Sequence, residues 1–257
     1  MNAFSKTIIA ASIAAASIFS GTAAAAEAPF NQFTVAPGGI YSNFTADNIT
    51  GKYTEQATFN LDGSFNVSLR WTAGQFATDQ GNTTLQAFET GLGSSYGLFA
   101  TYSASGNYST TNGVTTFTFQ PGSGALQLFL DTDLRSPAGD VLLGFGDPID
   151  GEGSLTPGVS TCSSSGINCG SFGASSTLQL TEAGSQFFIL PNPFYSVTFQ
   201  SGQLNTFEPI GSQTINGSLD VTFGGLPAEV PEPASVGLLG LGMLGLYAAR
   251  RRNKKAA

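Results

Sequence analysis

The sequence predicts an all-β protein: an antiparallel β-sandwich or jelly-roll-like domain, with an N-terminal signal helix before it and a C-terminal transmembrane helix after it. Three observations carry this. Short runs rich in Thr, Val, Tyr and Phe alternate in polarity with a period of two. Turn-forming pairs separate them, and no long helical periodicity appears outside the two ends of the chain.

The first element is an export signal. Lys6 precedes an apolar, small-residue run from Thr7 to Gly21, and the alanines Ala23 to Ala26 offer an A-x-A site ending at Ala25 or Ala26. Residues 1–26 are therefore expected to be removed by signal peptidase, leaving an extracellular β domain over residues 27–229.

Within that domain the alternating runs are Tyr53–Phe59, Ser64–Trp71, Thr115–Phe119, Ala125–Leu130, Thr177–Leu180, Ser196–Phe199 and Ser218–Phe223. Asp62-Gly63, Asn112-Gly113 and Pro121-Gly122 stand between strands, where a chain reversal needs residues that tolerate positive φ. In Ala125–Leu130 the leucines Leu126, Leu128 and Leu130 share one face, and Phe129 on the other marks a strand buried on both sides. Trp71 reads as a core aromatic.

Two features lie outside the strands. Six acids, Asp131, Asp133, Asp140, Asp147, Asp150 and Glu152, are interleaved with glycines. Oxygen ligands on a glycine loop suit calcium, but the spacing is not that of an EF-hand and solvated turns use the same residues, so the turn reading is preferred and no cofactor is assigned. Cys162 and Cys169 enclose a Ser- and Gly-rich loop. In an oxidising compartment they are expected to form a disulfide worth roughly 2–3 kcal/mol. A zinc site would lack ligands, since the chain has no histidine.

Composition then removes function classes. Between Glu27 and Glu229 only Lys52, Arg70 and Arg135 oppose sixteen Asp and Glu. Such a surface repels phosphate backbones, so nucleic acid is excluded as a partner. Without histidine there is no Ser-His-Asp or Cys-His catalysis. A glycosidase-like carboxylate pair remains, but nothing singles one out, and the chain is read as not an enzyme.

The last element is the tail, residues 230–257. Pro231 and Pro233 hold the chain extended ahead of Ala234–Ala249, sixteen residues without a charge. As a helix these reach about 24 Å, against a hydrocarbon core of about 30 Å. Arg250, Arg251, Arg252, Lys254 and Lys255 follow at once. They keep that end cytoplasmic and leave the acidic domain outside the inner membrane.

Val230, Pro231, Glu232 and Pro233, a Gly- and Leu-rich helix and Arg250–Arg252, in that order, resemble the PEP-CTERM tail recognised by exosortases of Gram-negative bacteria. The resemblance implies an exosortase partner, recognition and cleavage at Val230 to Pro233, a parked helix at 234–249 and arginines that stop transfer. Phe33–Val35, Phe44–Phe59, Tyr96–Ala100 and Pro191–Tyr195 further resemble the flocculation-associated PEP-CTERM proteins. That similarity implies a surface or extracellular-matrix protein, transiently anchored in the inner membrane, with a role in flocculation or exopolysaccharide biofilm. The rival readings are a polysaccharide-binding module, calcium-dependent or not, and a secreted carbohydrate-active enzyme.

Overall fold

The computed structural model describes residues 30–134, 139–156 and 169–225. Two short strands, β1 (Phe33–Val35) and β2 (Phe44–Ala46), precede the long β3 (Asn48–Phe59) and β4 (Ser64–Thr78). A two-residue β5 (Thr83–Thr84) and the single-turn α1 (Ala87–Thr90) lead into β6 (Gly97–Thr111), β7 (Val114–Phe119) and β8 (Ala125–Asp131). Next come β9 (Val141–Gly146), β10 (Pro148–Leu155), β11 (Gly170–Thr177) and β12 (Gln179–Leu180). The described chain finishes with α2 (Glu182–Phe187), β13 (Phe188–Leu190), β14 (Val197–Leu204) and β15 (Gly211–Gly224).

The all-β class is correct, but the sandwich or jelly-roll is not. β3, β4, β6, β7, β10, β11, β14 and β15 hydrogen-bond in that order, all antiparallel, and β15 returns to β3. The ring is an eight-stranded barrel. The physical reason lies in pairing: β4 runs fifteen residues and bonds along Ser64–Thr72 to β3 on one side and β6 on the other, so no free edge remains there. Alternating polarity is the same in a sandwich and a barrel, and only the ladder between distant strands separates them.

Two groups of strands decorate the ring. β6 is shared, pairing with β7 along Gly106–Thr111 and with β8 along Gly97–Ser103, and β8 extends outward through β9 to β12. β1 pairs with β2 and β13 in a separate three-stranded sheet. Its Phe33 and Phe188 pack edge-on against Phe223 of β15, at ring separations of 5.0 and 5.6 Å. The sheet thus covers the end of the barrel at which both termini of the described chain emerge, Asn31 donating to the Phe223 carbonyl at 3.1 Å.

Inside, small positions let large rings cross. The ring of Trp71 occupies the space a side chain at Gly51 would need, and Phe172 does the same over Gly202. Trp71 is 2% exposed and its indole N–H donates to the Leu219 carbonyl at 3.1 Å, as befits a core aromatic.

The turn pairs are where the sequence puts them. Asp62-Gly63 closes β3–β4, Pro121-Gly122 lies between β7 and β8, and Asn112 and Gly113 adopt φ of 53° and 79° between the paired residues Thr111 and Val114. What the alternation misses is glycine- and serine-rich strand: most of β6, and β9, β10 and β11. Phe129 also differs from its expectation. It is half-buried on the outer face, stacked on Phe99 at 5.0 Å, and the Arg70 guanidinium lies 3.8 Å from the Phe99 ring centre.

Candidate functional site

Residues 1–29 and 226–257 lie outside the described residues. The signal segment, the sorting residues Val230, Pro231, Glu232, Pro233, Arg250, Arg251 and Arg252, and the transmembrane helix 234–249 fall there. Among the described residues no helix is long and apolar enough to cross a membrane. Cys162 is also outside them. Cys169 is buried, disulfide-bonded and tied into the wall, its N–H donating to the Leu204 carbonyl at 3.0 Å and its carbonyl accepting from Thr156 N–H at 2.8 Å.

The acidic stretch does not form one loop. Asp131 ends β8, Asp133 and Asp140 lie in the connection to β9, Asp147 joins β9 to β10, and Asp150 and Glu152 sit within β10. Among the described residues no three His, Cys, Asp or Glu side chains gather as a metal site. β10 forms because its glycines face inward, where Gly151 leaves room for Phe119 and Gly153 for Phe172. Its acids are thereby turned outward.

That outward face is a groove. Pairing aligns Thr116, Ser154, Ser171 and Gln203 in one row across β7, β10, β11 and β14. Thr118, Glu152, Gly173 and Ser201 form the next row, and Asp150, Ser175 and Phe199 a third. Gly173 has no side chain to fill the middle, which leaves a depression of about 760 Å³ over the second and third rows. A neighbouring one of about 430 Å³ shares Thr118, Glu152 and Gly173 with it. The Ser175 hydroxyl donates to Asp150 Oδ1, and Phe199 presents a ring that is 41% exposed.

Hydroxyl rows, two carboxylate acceptors and one aromatic face can hold a polyhydroxylated chain by hydrogen bonds and ring contact. Asp150 and Glu152 are two residues apart on one strand, about 6.6 Å along it. Both project from one strand onto the outer face of the wall.

A second polar feature lies inside the barrel. Glu55 is in phase with Tyr53, Ala57 and Phe59 on β3, so its carboxyl points inward and is only 9% exposed. Burial pushes that carboxyl up to about 7. It lines a cavity of about 50 Å³ and an adjoining one of about 30 Å³. Sequence reading missed it, although the alternation of Tyr53–Phe59 already put an acid on the apolar face.

Against known proteins, one feature is recognised: residues 229–252 match the PEP-CTERM protein-sorting motif. The motif marks the chain as a PEP-CTERM sorting-domain protein targeted to an exosortase, exported and transiently anchored by its C-terminal signal. No curated protein and no solved structure matches the chain.

Proposed function

We propose that the protein is a non-enzymatic component of the extracellular matrix, delivered by exosortase processing and acting in flocculation or exopolysaccharide biofilm formation. The sorting motif over residues 229–252 carries this reading, because it gives the acidic barrel a destination outside the inner membrane. Intact-mass measurement on protein from its native host, with and without the exosortase, tests the delivery. Loss of the segment after the PEP residues only when the enzyme is present is the expected result, and retention of residues 234–257 in the wild-type strain refutes it. A deletion strain that flocculates like its parent refutes the matrix role.

A polysaccharide-binding module is the second reading, and one observation favours it: the groove with Glu152, Asp150 and Phe199 on the outer wall. Exopolysaccharide pull-down is expected to lose most of the bound protein with Phe199→Ala or Glu152→Gln. Unchanged capture by both variants removes the groove from the account. Loss of capture with a chelator would make the contact cation-dependent.

A further inference from the structure

Glu55 is a carboxyl on the inner face of a barrel whose lining is otherwise mostly apolar. The cavity it faces is bounded by Val67, Leu69, Leu126, Leu128 and Phe172, and no Lys or Arg among the described residues lines it. An unpaired carboxylate there costs several kcal/mol. Among the described residues Glu55 has no hydrogen-bond partner in the protein. Tyr102 projects into the same cavity from β6, and its hydroxyl is buried without a partner. Gln200 enters from β14, 9% exposed. Its Nε2 donates to the Thr198 hydroxyl at 2.7 Å, which leaves Oε1 to accept.

Among the described residues, three side-chain acceptors that take no hydrogen bond therefore line one small cavity: the Glu55 carboxylate, the Tyr102 hydroxyl oxygen and Gln200 Oε1. A primary ammonium brings three N–H donors and the opposite charge. The space limits the rest of the ligand. An apolar cavity of about 150 Å³ accepts the six carbons of benzene, so about 50 Å³ with an annex of about 30 Å³ takes about three heavy atoms and no ring. The wall is thin on one side, where Phe119, Ala174 and Gln200 line both this cavity and the outer groove. We propose that the barrel interior is a binding site for a small primary alkylamine, its ammonium held by Glu55, Tyr102 and Gln200 and its chain by the apolar lining. The site is independent of the polysaccharide reading of the outer face.

Ethylamine, titrated into the full-length protein and followed by saturation-transfer NMR, tests it, with acetate and ethanol as controls. Ethylamine binds saturably, acetate does not, and ethanol binds at least tenfold more weakly. Glu55→Gln, which keeps the side chain's shape and removes its charge, weakens ethylamine at least tenfold. Leu128→Phe, which fills the cavity and leaves Glu55 in place, abolishes binding. Asp62→Asn, at an exposed acid in the β3–β4 turn, leaves it unchanged and so reports on non-specific attraction to an acidic protein. Absence of saturable binding, which would leave the cavity to water, overturns the proposal. Equal binding by wild type and Glu55→Gln overturns it as well.

Discussion

Glu55 stands where the alternation of β3 calls for an apolar side chain, and the consequence is a pH-dependent barrel. Its carboxyl, ordinarily near 4.5, is raised to about 7 by burial. The groups facing it are Tyr53 on its own strand and Tyr102 on β6, both with hydroxyls pushed up chiefly by burial, and Asp150 acts on Tyr102 in turn. Because the folded chain binds the proton more tightly than the unfolded chain, the stability linked to it is fully present below pH ~4.5 and is lost as pH rises through ~7. The loss is about 3 kcal/mol at ~1.36 kcal/mol per pH unit. Urea denaturation at pH 5 and pH 8 should therefore show wild type weakening by that order, and Glu55→Gln largely escaping it. Equal weakening of both proteins would assign the titration elsewhere. Trp71 makes a second residue-scale case. Trp71→Phe removes the donor to the Leu219 carbonyl and leaves a gap over Gly51, so a loss of about 2–4 kcal/mol is expected by the same measurement.

At the scale of elements, two glycines that look alike in the sequence have opposite tolerances. A side chain at Gly51 would run into the Thr72 carbonyl and the Trp71 ring, both fixed by β4. Gly51→Val should stop the barrel forming, read as loss of the β signal in far-ultraviolet circular dichroism. Gly113 has open space around it, and its φ of 79° is the sole obstacle. Gly113→Ala should keep the fold and lower stability by about 1 kcal/mol. The hairpin turn around Gly113 was legible because Asn-Gly between alternating runs has a local cause. Strands β10 and β11 were not legible. Pro148–Leu155 and Gly170–Thr177 carry glycine and serine where β-branched residues signal a strand, and their inner volume is filled by Phe119 and Phe172. The same misreading hid the groove, since Asp150 and Glu152 looked like loop acids.

For the whole molecule, closure depends on β3 meeting β15, with Phe59 paired to Gly211 and Ile49 to Val221. Such distant pairing makes loop closure precede its stabilising contacts, so refolding from urea is expected in milliseconds to seconds or slower. A microsecond main phase in stopped-flow and temperature-jump fluorescence of Trp71 would contradict it. Cys169 anchors one end of the β10–β11 connection, and Cys169→Ser should lower stability by roughly 2–3 kcal/mol while the barrel's circular dichroism persists. An unchanged urea midpoint would show that the wall holds that end unaided.

By itself, the sequence determined the class, most turns and the sorting signal. Each rests on local chemistry: alternation sets which side chains share a face, Asn-Gly sets a reversal, and a PEP stretch, an apolar run and a basic end are read linearly by the export machinery. Only the tertiary structure decided that the strands form a closed barrel rather than a sandwich. Only it decided that Glu55 and Tyr102 face one cavity, and that Glu152 and Phe199 border one groove. The reason is hydrogen-bond pairing between strands far apart in the chain. A period of two fixes the face on which a side chain lies and leaves its neighbour across the sheet to the fold.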